Sequence, residues 1–166
     1  MYKRQLWNTR ALLAEEMGLN RVQVEHLLNR YGSLLTEIRE LIAERPELGE
    51  PLASAPGYLK VEAVYSAAYE GALHLDDILA RRTRISIETW DRGVAAATEV
   101  AGLVAPVLGW GEAEIAREVE HYEKRVAAER ESQDQPDDLS ADAARLGAPD
   151  VRMGRVGPAS QAIGGE

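Results

Sequence analysis

Apolar residues recur at helical spacing along most of this chain. Val24, Leu27, Leu28 and Tyr31 stand at i, i+3, i+4 and i+7 and predict one buried helix face, which Gly32 is placed to end in the left-handed conformation. Leu34, Leu35, Ile38, Leu41 and Ile42 continue the pattern as far as Pro46. Residues 47–57 are rich in proline and glycine and read as a loop. Val61, Val64, Tyr65 and Ala68 predict a third helix ending near Gly71, and Leu75, Ile78 and Leu79 predict another over residues 75–82. The short join between these two implies a helix-turn-helix-like corner. Ile85-Ser86-Ile87 alternates and is expected to be an extended link. A long helix follows over residues 89–106, with Val94, Ala97, Ala101 and Val104 facing inward and with Pro106 and Gly109 closing it. The last strong stripe, Ile115, Val119, Tyr122 and Val126, predicts a helix over residues 112–132 with acids in its first turn, where the helix dipole favours them.

The fold class expected is therefore all-α. One compact multi-helix domain with a corner-type helix pair spans residues 6–132. Residues 133–166 form an acidic tail containing Pro and Gly, with a short helix around residues 141–146 and disorder beyond about residue 150. At 166 residues the chain is long enough to bury one core. Phenylalanine is absent and aromatics make up 5%, so aliphatic residues and alanine must fill that core.

There are no cysteines, which excludes disulfides and thiolate chemistry. No apolar run approaches the ~20 residues needed to span a bilayer, and no signal-peptide core opens the chain. The expected location is the cytoplasm. A net charge of −9 argues against a nucleic-acid partner. The charge is unevenly spread: residues 129–150 carry seven acids and two arginines, whereas Arg81, Arg82 and Arg84 fall within four positions. Such an acidic tail is expected to be solvated, with docking on the arginine cluster as the alternative.

Candidate chemistry is concentrated around that cluster. Asp76 and Asp77 sit at the start of the predicted helix, and Asp77 is spaced i, i+4 from Arg81, a pairing that stabilises a helix by a few tenths of a kcal/mol. Arg82 and Arg84 then need other partners. Glu62 and Glu70 lie on a mostly apolar helix, where a buried carboxylate requires a cation, and Arg81, Arg82 or Arg84 are the expected partners; an external acidic surface is the other reading. His26, His74 and His121 are expected in structural or surface roles, because none has converging ligands at metal-site spacing. Trp90 and Trp110 are expected to pack where helices meet. No catalytic, cofactor-binding or metal-ligating residue is assigned.

Asp76-Asp77-Ile78-Leu79-Ala80-Arg81-Arg82-Thr83-Arg84, preceded by Tyr58-Leu59-Lys60-Val61-Glu62-Ala63-Val64-Tyr65 and Glu70-Gly71-Ala72, resembles the C-terminal helical domain of FAD-dependent glycerol-3-phosphate dehydrogenases. His26-Leu27-Leu28-Asn29-Arg30-Tyr31-Gly32 resembles the start of that domain. Leu108-Gly109-Trp110, Glu118-Val119-Glu120-His121-Tyr122 and Gln135-Pro136-Asp137-Asp138 resemble its later landmarks in the same order, with an actinobacterial flavour. The resemblance covers about residues 20–150 and implies a parent flavoenzyme that oxidises sn-glycerol 3-phosphate to dihydroxyacetone phosphate and passes electrons to a quinone. It also implies FAD in a separate N-terminal domain, which would be this segment's partner, and attachment of the parent to the inner face of the cell membrane. The sequence has no strand-led glycine-rich turn of the kind that receives a dinucleotide pyrophosphate, so the chain alone is expected to be inactive. Met1-Tyr2-Lys3-Arg4-Gln5 resembles a translated sequencing-library adapter, and residues 1–5 are set aside as a scar. A domain cut from its neighbour would expose apolar surface, on the order of several hundred Å². A second copy of the chain is a further candidate partner. The competing reading is a free-standing helical interaction module that uses residues 81–84 to bind an acidic protein or phospholipid surface.

Overall fold

The first predicted stripe folds as helix α3 (Arg21–Tyr31) and buries Val24, Leu27, Leu28 and Tyr31 together. The computed structural model describes residues 2–148. Asn20 starts α3 with a reciprocal cap: its side chain accepts from the Gln23 N–H at 3.0 Å, and the Gln23 side chain accepts from the Asn20 N–H at 2.9 Å. Gly32, with φ of 58°, turns the chain through a 3₁₀ turn into α4 (Leu35–Glu44). That turn rotates Leu34 off the stripe and leaves it exposed, while Leu35, Ile38 and Ile42 stay inside. Upstream lie α1 (Tyr2–Asn8) and α2 (Arg10–Met17), which apolar spacing did not predict; Leu13, Ala14 and Met17 of α2 join the same core. Residues 2–5, set aside as a scar, fall within α1.

Residues 47–57 do not form a plain loop. A 3₁₀ turn over Pro46–Gly49 leads into an antiparallel hairpin, β1 (Pro51–Leu52) and β2 (Ala55–Leu59), pairing Pro51 with Leu59 and Leu52 with Ala55. In a two-stranded ribbon both strands are edges, so prolines lacking an N–H are tolerated there. This hairpin is the only sheet among the described residues, and the all-α class stands.

Helix α5 (Lys60–Ala68) follows, and its six consecutive residues from 61 to 66 are buried. Gly71, with φ of 70°, makes the corner. Leu75 and Asp76 begin a helical turn that widens over Asp77–Arg82 into a π-helical segment. Its signature is the Thr83 N–H donating to the Ile78 carbonyl five residues back, at 2.8 Å; the buried Thr83 hydroxyl donates to the same oxygen at 2.7 Å. The expected extended link at residues 85–87 is instead one helical turn, α6 (Ile85–Glu88). Ile85 anchors that turn in the core while Ile87 points out, which matches the apolar alternation without a strand.

Helix α7 (Val94–Leu108) presents Ala96, Ala97, Val100, Ala101, Val104 and Ala105 to the core. Pro106 sits within its last turn, and Gly109, with φ of 69°, ends it. Helix α8 (Glu112–Gln133) buries Tyr122 and Val126. Helix α9 (Asp138–Leu146), capped by the Asp137 side chain, folds back on α8 through buried Ala141 and a 3.2 Å bond from Arg145 to the Ser132 hydroxyl. It starts three residues before the expected short helix. The disorder expected for residues 150–166 lies outside the described residues.

Two apolar clusters result. One gathers α1 to α4 against Val61, Val64 and Tyr65 of α5. The other gathers Ala63 of α5 with the π segment, α6, α7 and α8.

Candidate functional site

The arginine segment is held from the inside by its backbone, and its side chains point outward. Arg81 Nη1 reaches the Asp77 carboxylate at 2.6 Å, and it also pairs with Asp76, five residues back across the wide π turn. Asp76 in turn pairs with Arg125 of α8. Asp77 accepts from the N–H groups of Leu73 and His74, each at 3.2 Å. Burial alone would raise the Asp77 carboxyl, but those two amides and Arg81 overcome it and hold the group below the ordinary aspartate range. A carboxyl depressed in the folded state stabilises the fold fully above its unfolded pKa of about 3.9 and loses that contribution as pH falls through the folded value. Asp77→Asn keeps an oxygen for the two amides but removes the charge that pairs with Arg81, and should therefore cost about 0.5–1 kcal/mol at neutral pH. In urea unfolding, the gap between wild type and variant should close as pH is lowered well below 3.9, roughly to pH 2; a gap that stays constant over that range rules the carboxylate role out.

Arg82 and Arg84 have no such carboxylates. Arg84 Nε lies 3.9 Å from Glu88, and Arg82 makes no ion pair among the described residues. Their backbone is clamped instead. Arg30 Nη2 donates to the Arg82 carbonyl at 2.6 Å, and the Arg84 N–H donates to the Tyr58 hydroxyl at 3.2 Å. Tyr58 donates onward to Glu88 at 2.9 Å. Burial first, and the Glu88 carboxylate next, push the Tyr58 phenol up to about 12, so it remains a donor.

Glu62 is fully buried and does have a cation, but not the expected one. Arg30 of α3 places Nε 3.0 Å from Oε2, an ionic contact whose N–H is not aligned for a hydrogen bond. His26 Nε2 lies 3.0 and 3.1 Å from the two carboxylate oxygens, the Leu59 N–H donates at 2.9 Å, and the Tyr31 hydroxyl donates at 3.3 Å. The Arg30 guanidinium also lies over the Tyr58 and Tyr31 rings, 5.2 and 5.6 Å from their centres. Arg81, Arg82 and Arg84 do not reach Glu62, because their segment turns its carbonyls and amides toward α3 and the hairpin. Glu70 does not meet them either: its Oε2 is buried with no hydrogen-bond partner among the described residues.

A second buried acid went unforeseen. Glu118 occupies a core position on α8, where Oε1 meets His74 Nδ1 at 2.9 Å and Oε2 accepts from the Leu75 N–H at 3.1 Å. A carboxylate at i+3 from Ile115 and i−4 from Tyr122 was the available signal. His74 is thus buried. Trp110 is buried, with its indole N–H unpartnered among the described residues. Trp90 is the opposite of what was expected: it is 99% exposed on the turn between α6 and α7.

These groups build a scaffold and a surface. Among the described residues, no three His, Cys, Asp or Glu side chains converge as metal ligands. No strand among them runs into a glycine-rich turn and helix start that could seat a flavin pyrophosphate. The described residues therefore do not fit FAD. None of the described helices is long and apolar enough to cross a membrane.

Residues 2–115 match the model of the C-terminal domain of alpha-glycerophosphate oxidase. The chain belongs to that family. The chain is 60% identical over 135 residues to Glycerol-3-phosphate dehydrogenase 2 of Mycobacterium tuberculosis (strain ATCC 25618 / H37Rv), covering 81% of the chain and 23% of that protein. It is 55% identical over 148 residues to Glycerol-3-phosphate dehydrogenase of Mycobacterium leprae (strain TN), covering 89% and 25%. A Synechocystis sp. protein of the same name is 30% identical over 104 residues, covering 63% and 19%. The domain thus spans about a quarter of the length of the mycobacterial relatives it matches. No solved structure matches it.

Proposed function

We propose that this chain is the C-terminal domain of an FAD-dependent glycerol-3-phosphate dehydrogenase, an enzyme that oxidises sn-glycerol 3-phosphate to dihydroxyacetone phosphate and delivers electrons to a quinone. The observation that carries the reading is the 60% identity that runs through 81% of the chain yet covers only 23% of a protein of that name. The enzyme works in the cytoplasm, at the inner face of the membrane, and FAD and substrate are held by the N-terminal portion. This domain braces that portion, and no step of the oxidation is assigned to its residues.

A chimera tests the reading. The matching C-terminal quarter of the M. tuberculosis protein is replaced by this chain, and flavin content and glycerol 3-phosphate-dependent dye reduction are measured. The chimera is expected to hold flavin and turn over, whereas deleting the quarter outright removes soluble, flavin-loaded enzyme. A deletion mutant as active as the parent, or a flavin-loaded chimera with no turnover, overturns the assignment. The free-standing interaction module has one observation in its favour, the outward and weakly paired Arg82 and Arg84; a deletion mutant that keeps full activity would favour it.

A further inference from the structure

The turn joining α6 to α7 carries a tryptophan that the fold makes no use of. Trp90 is 99% exposed, and Ile87, one helical turn earlier, is 69% exposed. Both line a groove of about 550 Å³ together with Arg92 and Arg130. Arg84, exposed and one turn before Ile87, extends the same face.

A floppy loop tip could expose a tryptophan by neglect, but this turn is fixed on every side. The Thr89 hydroxyl donates to the Ile85 carbonyl at 2.7 Å, and Arg130 Nη2 donates to the Trp90 carbonyl at 3.2 Å. The Asp91 carboxylate accepts from the Gly93 and Ala95 N–H groups at 3.2 and 2.6 Å. The Tyr122 hydroxyl donates to the Arg92 carbonyl at 2.6 Å, and Arg92 pairs with Glu129 at 2.7 Å. Arg92 is the one non-glycine with positive φ among the described residues, at 58°. A left-handed arginine costs on the order of 1–2 kcal/mol. The exposed indole thus stands on an ordered turn that includes a strained residue. Rigid aromatic anchors beside arginines are what binding hot spots are made of.

Resting on the proposed function, we infer that the face formed by Arg84, Ile87, Trp90 and Arg130 is where the flavin-binding portion of the same polypeptide docks, through an apolar pocket bordered by carboxylates. Three observations select this occupant. About three quarters of the length of the mycobacterial relatives lies outside the matched region, and domains of one chain commonly share 600–1,500 Å² of interface. The matched family region takes in Arg84, Ile87 and Trp90, and Arg130 lies beyond its end at residue 115. In a chain of net charge −9, this face carries Arg130, which makes no ion pair among the described residues, and Arg84, whose contact with Glu88 is a loose 3.9 Å, while Arg92 is already matched by Glu129; the two underused guanidinium groups call for an acidic complement.

Hydroxyl-radical footprinting read by mass spectrometry tests the inference on the chimera and on the isolated chain. Oxidation of Trp90 should be fast in the isolated chain and roughly tenfold slower in the chimera, as for a residue in a desolvated interface centre. Trp90→Ala, and separately Arg84→Gln, whose side chain has only the loose contact with Glu88, should leave the unfolding midpoint of the isolated chain unchanged while increasing tryptic cleavage between the two portions of the chimera. An active, flavin-loaded chimera in which Trp90 oxidises as fast as in the isolated chain overturns the docking face and leaves the functional reading intact. A chimera with no flavin and no activity removes the functional reading itself. Protection that appears in the isolated chain at high concentration and vanishes on dilution assigns the face to a second copy instead. Arginine-dependent binding of the isolated chain to phosphatidylglycerol vesicles, without protection in the chimera, assigns it to a membrane; either result overturns the inference.

Discussion

Glu62→Gln is expected to destabilise the domain by about 3–5 kcal/mol, the cost of removing one partner from a buried charge network. The side chain is 0% exposed and receives four groups, from His26, Arg30, Tyr31 and the Leu59 N–H. Glutamine keeps the volume but brings an amide NH₂ into a site where the Tyr31 hydroxyl and the Leu59 N–H donate and a guanidinium stands alongside. It also leaves Arg30 in a largely enclosed place without its counter-charge. The loss should appear as a fall in thermal midpoint of roughly 10 °C, at about 2–4 °C per kcal/mol for a chain of this size. Circular dichroism melts at neutral pH measure it. His26→Ala should be milder, because Arg30, Tyr31 and the Leu59 amide still hold the carboxylate. A change below about 1 kcal/mol for Glu62→Gln would falsify the description of this residue as the hub between α3, the hairpin and α5.

Gly93→Ala should cost roughly 2–5 kcal/mol, combining a left-handed backbone penalty with overpacking. An added Cβ would lie 2.9 Å from Ile85 Cγ2 and 3.3 Å from the Tyr122 hydroxyl, at φ of 80°. Neither neighbour is free to swing aside: Ile85 is fully buried, and Tyr122 is tied to the Arg92 carbonyl. Gly71→Ala supplies the control, since its φ is 70° but an added methyl would meet nothing within 4 Å. It should pay only the backbone penalty, about 1–2 kcal/mol. Urea unfolding of the two variants separates the packing contribution, and equal losses would mean that the wall around Gly93 yields.

Much of this architecture is legible from spacing alone. The α3 stripe, the buried face of α5 and the alanine-rich face of α7 follow from the 3.6-residue period, and the ordered landmarks pointed to the family that residues 2–115 match. The misses share a cause, which is that period and composition do not encode long-range partners. Glu62 needed a cation, as expected, but the nearest basic cluster along the chain was not the nearest in space; Arg30 came from the other side of the hairpin. Trp90 has the same composition signal whether it fills a helix junction or stands on a turn, and only the closed hydrogen bonds around Asp91 and Arg92 decide between them. The hairpin was hidden because its prolines and glycines belong equally to loops and to edge strands. The π turn was hidden because Asp77 and Arg81 pair at the spacing of an ordinary α-helix, while the Asp76 to Arg81 pair reveals the wider turn only in space.

Helix α5 lends side chains to both apolar clusters, Ala63 to one and Val61, Val64 and Tyr65 to the other. Neither half of the chain can therefore melt and leave the other intact, since whichever half opens strips one flank of the same helix. Amides of α5 should exchange with solvent deuterium only through whole-domain opening, and the two halves behave as one foldon despite having separate cores.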